Sequence, residues 1–138
     1  MKHVFISLLN FNGKKNTLDC LQSLKNIKRD SFKLTIIVVD NASQEEFDLN
    51  DKTIGSIPLI FIKNNENLGF SGGHNIAIKY ALENGADYIV ILNNDTYVDH
   101  NFLEELFKVS KEEAGILSPK IYFAPGPKLL KGPKMGLP

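Results

Sequence analysis

Four stretches of the chain are short, almost wholly apolar and rich in β-branched residues: 3–9, 34–39, 57–62 and 88–92. Alternation would mark strands with one wet face. Continuous apolar runs of this length mark strands covered on both faces, the habit of parallel sheets. Between them the period changes to that of helices. Leu18, Leu21, Leu24 and Ile27, bordered by Thr17 and Cys20, form one stripe. Ser43-x-x-Glu46 has the form of a capping box and predicts a short helix. Another helix is expected over 72–84, with Gly85 as its C-terminal cap. Asp99 predicts an N-cap ahead of Phe102, Leu103, Leu106 and Phe107, which share one side of a fourth helix. Strand character returns at 115–118 and 121–123. The β-α-β-α order implies right-handed crossovers and an α/β fold: an open, mostly parallel sheet with helices on both faces, Rossmann-like in outline.

Composition narrows this picture. A chain of 138 residues with 43% apolar and 23% charged residues is one globular domain with enough core to fold unstapled. The sixteen basic and sixteen acidic residues cancel, which argues against nucleic acid as a partner. One cysteine, Cys20, excludes an internal disulfide and a cysteine-built zinc site. No apolar run reaches the ~20 residues of a membrane helix, and the first nine residues do not form a signal peptide. A cytoplasmic protein is the expectation. Charge is uneven along the chain, because residues 119–138 hold four lysines, no acid and five of the six prolines. Such a segment cannot hold a helix or central strand. Residues 1–123 are therefore expected to form the domain. Residues 124–138 read as a loop or loose tail, whose lysines suit at most a weak, peripheral touch on an acidic membrane surface.

In open parallel sheets ligands bind beyond the carboxyl ends of the strands. Each strand here delivers a polar cluster to that rim: Asn10 to Gly13, Asp40 to Ser43, Asn64 to Asn75, and Asn93 to Asp95. Asp40 has two readings, a turn former or a carboxylate that accepts a hydrogen bond from a nucleobase or ribose. The single Gly13 after the first strand cannot make the dinucleotide-binding turn, so NAD is disfavoured. Asn67, Gly69, Gly72, Gly73 and Asn75 surround a helix start, where backbone can approach an anionic ligand. They lack the Gly-Lys-Ser/Thr of a P-loop. The alternative is a glycine-rich loop fitted for tight packing, with Phe70 as its anchor. Asp95 offers a carboxylate to a hard cation, Mg or Mn, whose remaining positions are filled by water and phosphate oxygens. His3 reads as structural or exposed; His74 and His100 fall near the rim and are candidate site residues.

The segments Asn10-Phe11-Asn12, Val38 to Ser43, Asn67 to Asn75 and Leu92 to Thr96 together resemble the family 2 glycosyltransferases, and within them the rhamnosyltransferase-like branch. The resemblance runs in order over residues 3–123. It implies the GT-A fold and transfer of a sugar, with inversion, from a nucleotide-diphosphate sugar donor. The acceptor would be a saccharide or lipid-linked hydroxyl, in polysaccharide or glycan assembly. By position, Asp40 would contact the nucleobase, Asn10 and Asn12 would lie beside the nucleotide, and residues 67–75 would shape the donor pocket. Asn93 and Asn94 precede Asp95, the last acid of the family's metal motif. Asn93 stands where many members have a first Asp, and His74 where many have Arg.

Displacement at the anomeric carbon also needs a base to take the acceptor's proton. The family's base lies downstream of the metal motif, yet no acid follows Glu113 and no histidine follows His100. The catalytic base is thus not identified in this chain, which is expected to be a donor-binding part of a longer unit. Asp99 and His100 are substitutes too close to the metal turn to be favoured. Two alternatives stand beside a transferase. One is a non-catalytic nucleotide-sugar-binding module or degenerate enzyme; the other is a sugar nucleotidyltransferase, hinted at only by Gly13-Lys14-Lys15.

Overall fold

The computed structural model describes residues 1–110 and 115–122. Its elements run β1 (Lys2–Asn10), α1 (Lys14–Leu24), β2 (Phe32–Asp40), β3 (Thr53–Ile54), β4 (Ile57–Lys63), α2 (Gly69–Glu83), β5 (Tyr88–Asn93) and α3 (Phe102–Val109). The sheet order is β3-β4-β2-β1-β5. The four long strands are mutually parallel, and the two-residue β3 pairs antiparallel with β4. After β4 the chain crosses back over β2 and β1 to lay β5 on the far side of β1. That reversal puts the switch point of the sheet between the carboxyl ends of β1 and β5, the place where such folds take ligands.

Helices cover both faces, as the apolar runs predict. On one face Cys20, Leu21 and Leu24 of α1 and Leu103 of α3 pack on Val4, Ile6, Leu8, Ile36 and Val38. On the other, Ala77 and Ala81 of α2 meet Phe5, Ile37 and Val39. The residues of β1 and β2 alternate between these two layers, so the middle of both strands is mostly apolar on both faces. β5 is different: Tyr88 and Ile91 are exposed, because among the described residues only β1 flanks it. The expectation of a strand buried on both faces therefore fails at β5.

Other differences have local causes. The stripe of α1 is Thr17, Cys20, Leu21 and Leu24; Leu18 faces solvent, and Ile27 is buried from beyond the helix end. No helix follows Ser43, whose hydroxyl is consumed by Asp40 instead of capping. α2 begins at Gly69, three residues before its expected start, and Gly85 follows it in the left-handed region at φ +77°. Asp99 Oδ1 accepts from Asn101 N at 2.8 Å, one turn ahead of α3, whose cap position is Asn101. Residues 115–122 form no strand, while residue 123 and the 124–138 segment lie outside the described residues.

The early start of α2 carries Gly72 and Gly73 into its first turns. A Cβ on Gly73 would lie 2.3 Å from Leu9 Cδ1, so the absence of a side chain lets α2 settle on the end of β1. Gly73→Ala is expected to cost about 1–3 kcal/mol through this overlap. Urea unfolding of the variant checks it; a midpoint equal to the parent's would place the helix elsewhere.

A candidate donor-binding rim at the sheet switch point

The rim is assembled from side-chain amides and one buried carboxylate. Asp40 ends β2 with no solvent exposure, and a buried charge needs donors. Its Oδ1 accepts from Asn10 Nδ2 at 2.7 Å and from Ser43 Oγ at 2.5 Å, and its Oδ2 from Ser43 N at 3.2 Å. Asn10, equally buried at the end of β1, accepts on Oδ1 from Thr17 Oγ1 at 2.7 Å. Thr17 in turn accepts from Asn94 Nδ2 at 2.9 Å. Each donor hands on to the next, so the relay Asn94, Thr17, Asn10 runs toward the carboxylate and is polarised by it. It ties the ends of β5, α1, β1 and β2 into one unit across the switch point.

A second hub sits on Asn41, which uses its full amide capacity. Nδ2 donates to Asn67 Oδ1 at 2.7 Å and Gly69 O at 3.1 Å. Oδ1 accepts from Asn64 Nδ2 at 3.0 Å and Leu68 N at 3.1 Å. The entry to α2 is thereby pinned beside β2, and Asn67 Oδ1 also accepts from Gly69 N at 2.9 Å. Gly69 needs no side chain because its φ is +70°. Among the described residues two non-glycines share that region, Asn12 (φ 51°) and Ala42 (φ 62°), both in rim loops. Asn12 is tolerated there, since its Oδ1 accepts from Gln44 N at 2.7 Å while its own N donates to Ser43 Oγ at 2.9 Å.

The exposed positions lie around this framework. Asn12, Asn67, Asn75, Asn93 and Asp95 are exposed, and Asn94 is half-buried. Asp95 lies just past β5, and among the described residues its carboxylate accepts no hydrogen bond. Beneath that turn lies Cys20, whose Sγ is 3.9 Å from Asn93 O and from Thr96 Oγ1; burial pushes its thiol pKa up, so it is an inert packing group. Phe70 is exposed and meets His74 edge-on, so it is no interior anchor.

Neither rim histidine is where its sequence position indicates. His74 is buried between α2 and β1, its Nδ1 2.7 Å from Ser7 Oγ, and its Nε2 has no partner. Desolvation lowers its pKa, so it is neutral and makes no charge contact with a ligand. His100 bonds through Nδ1 to Asn26 O, beside the loop that precedes β2 at the opposite end of the sheet. His3 is structural, bonded to Thr35 Oγ1 at 2.9 Å and packed on Phe5. Sequence reading passed over Thr17, Ser43 and Asn41 as site-building residues. The one signal for Thr17 was a hydroxyl on an otherwise apolar stripe.

Asp40→Ala leaves the buried Asn10 amide and Ser43 hydroxyl short of their acceptor, at an expected cost of about 2–4 kcal/mol in chemical unfolding. A loss below 0.5 kcal/mol, roughly the level of an ordinary surface substitution, would contradict the relay. The His74 shift has a definite sign. The unfolded chain binds a proton on this imidazole more readily than the folded one, so its contribution is fully present above the ordinary histidine pKa. Stability is lost as pH falls below that value toward the depressed folded one. His74→Leu is expected to flatten this part of the pH–stability curve, measured against the parent from pH 7.5 to 5.

The profile of the family described as "Glycosyl transferase family 2" matches residues 6–136. A dTDP-rhamnosyl transferase, RfbF of Shigella flexneri, is 34% identical over 87 residues, covering 61% of this chain and 28% of that protein. Among solved structures, S. aureus TarS 1–349 in complex with UDP-GlcNAc superposes with a TM-score of 0.60 at 22% identity, over 78% of this chain and 30% of that one. The mannosyltransferase PcManGT of Pyrobaculum calidifontis, in complex with GDP-Man and Mn2+, gives a TM-score of 0.60 at 19% identity, over 76% and 31%. These likenesses bear out the mostly parallel α/β architecture and its GT-A type. The chain spans under a third of the length of each of these proteins. With its profile matched over nearly the whole sequence, the chain belongs to glycosyl transferase family 2.

Proposed function

We propose that this chain binds the nucleotide and diphosphate of an activated sugar at the switch-point rim and serves as the donor side of an inverting sugar transfer. The observation that carries this reading is the sheet's switch point at the carboxyl ends of β1 and β5. There Asp95 stands exposed and unbonded, beside a relay whose buried groups have already spent their capacity on one another. The UDP-GlcNAc and GDP-Man bound by two structural relatives support a nucleotide-sugar donor, and the Mn2+ in one supports a divalent cation. The dTDP-rhamnosyl transferase supports the rhamnosyltransferase-like assignment.

The residues fit a cation of a particular kind. Among the described residues no group of three His, Cys, Asp or Glu side chains is placed to hold a metal. The donors on offer are the Asp95 carboxylate and the Asn93 amide oxygen, both exposed. This set suits Mg or Mn, which keep waters and take oxygens from a diphosphate, and it is too sparse for zinc. When bound, such a cation supplies neutralisation of the charge on the departing diphosphate.

The chain's own groups divide the rest. Asp40 is walled in by Asn10 and Ser43, so it orders the base-side loops from beneath the ligand, and the exposed Asn12 and Asn67 meet the nucleotide. Gly69, Gly72 and Asn75 form the wall of the donor pocket at the start of α2, while Gly73, expected there too, is buried against Leu9 and serves packing instead. In the reaction the acceptor oxygen bonds to the anomeric carbon as the bond to the diphosphate breaks, and the hydroxyl proton passes to a base. Asp99 and His100 are spent elsewhere, on Asn101 N and Asn26 O. That observation favours a second reading, a nucleotide-sugar-binding unit that does not transfer by itself. The lysines that hinted at a nucleotidyltransferase are also engaged. Lys14 donates to Glu46 O at 3.2 Å and Lys15 pairs with Asp19 at 2.5 Å. The acceptor under this proposal is a saccharide or lipid-linked hydroxyl. Among the described residues no helix is long and apolar enough to cross a membrane.

A thermal-shift panel of UDP, dTDP, GDP and ADP, with and without Mn, tests the reading. A nucleotide at about 100 times its Kd adds ~2.7 kcal/mol, or roughly 5–11 °C for a domain of this size. Asp95→Ala is expected to remove the Mn-dependent part and leave the fold intact. A panel with no response, or a variant that keeps the full Mn effect, refutes the assignment. Transfer of sugar to water or acceptor by the purified chain would decide against the binding-only reading.

A further inference from the structure

A second charged feature lies at the other end of the sheet. Residues 25–33, which lead from α1 into β2, hold Lys25, Lys28, Arg29 and Lys33 against one acid, Asp30. This runs against the grain of the chain, because residues 1–118 carry four more acidic than basic side chains. Among the described residues, only Lys28 of these has an ion pair, with Asp30 at 3.4 Å. Lys25, Arg29 and Lys33 have no carboxylate partner among the described residues. Two further acids border the patch. Glu104 accepts from Ser31 N at 3.1 Å and Ser31 Oγ at 2.8 Å. Asp87 accepts from His3 N at 2.8 Å and pairs with Lys2 at 3.2 Å.

Arg29 lines two open cavities. One, of about 680 Å³, is walled by Lys25, Lys28, Asp30 and His100, and the other, of about 350 Å³, by Lys33 and Ser56. The loop that presents these cations is held in shape. Lys28 N donates to His100 O at 2.8 Å, His100 Nδ1 donates back to Asn26 O, and the Arg29 guanidinium donates to Ser56 Oγ. An anchored guanidinium with lysines that lack a carboxylate partner on either side offers a fork and two point charges. That set matches an oxyanion bearing close to two negative charges and three acceptor oxygens. The nine residues of β1 separate it from the donor rim by about 26 Å, at ~3.3 Å per residue. A diphosphate at the rim cannot reach it.

We propose that this base of the sheet is a second anion site, selective for a phosphate group, independent of the donor site at the rim. It binds the phosphate through Arg29, Lys25 and Lys33, with the 25–31 loop already formed before binding.

Amide-resolved NMR of the 138-residue chain, titrated with inorganic phosphate against chloride at constant ionic strength, tests the site. Saturable shifts confined to residues 25–33 and 100–101 are expected. The Lys25→Gln/Arg29→Gln/Lys33→Gln variant should bind roughly tenfold more weakly, as loss of charge-assisted hydrogen bonds requires. Its unchanged dispersion away from the loop shows that it folds. Co-sedimentation with phosphatidylglycerol vesicles, but not phosphatidylcholine vesicles, would identify the phosphate as a lipid headgroup. Phosphate binding without vesicle binding would identify a free phosphorylated ligand. Shifts that never saturate, or that persist in the variant, overturn the proposal. Mn-dependent nucleotide binding retained by the variant keeps this result separate from the donor reading.

Discussion

The rim depends on one constraint: a carboxylate with no access to water must be met by donors from the protein. Asp40 meets it by recruiting Asn10 from the neighbouring strand and Ser43 from its own turn. Satisfying Asn10 then recruits Thr17, and satisfying Thr17 recruits Asn94. Each link is short range, yet together they hold four elements that are up to 84 residues apart in sequence. Removing a middle member strands polar groups on both sides, at about 1–3 kcal/mol for each. The relay is therefore a structural device that orders the loops carrying the exposed residues.

This division of labour changes how the polar rim is understood. Buried Asn10, Asp40 and Asn41 build the floor, while exposed Asn12, Asn67, Asn93 and Asp95 face outward. The glycines divide likewise. Gly69 answers a backbone requirement, and Gly73 answers the bulk of Leu9 beneath α2. Under the proposed function a preformed floor matters, because donors already fixed in place need no reorganisation when a ligand arrives.

The same sheet presents opposite electrostatic characters at its two ends. The carboxyl ends carry a network of neutral amides with exposed acids, Glu45, Glu46, Glu66 and Asp95, in the loops around it. The amino ends carry cations held on a pinned loop. Parallel strands make this separation possible, since all four long strands deliver their entry loops to one end and their exit loops to the other.

The period of apolar residues was enough to read the parallel strands, the two-sided cover of helices and the edge where polar clusters gather. The motifs around Asp40, Gly72 and Asp95 were enough to read the family. Local signals failed where a side chain had a tertiary partner to prefer. Ser43 had the pattern of a cap but bonds a carboxylate from the strand before it, and Phe70 had the bulk of an anchor but lies outside the core. His74 and His100 sit near rim motifs in sequence, yet helical rotation turns one into the α2–β1 interface and the α3 connection carries the other to the far end. Which polar residues form the floor, and which face a ligand, depends on burial and on donors far away along the chain. Only packing decides that.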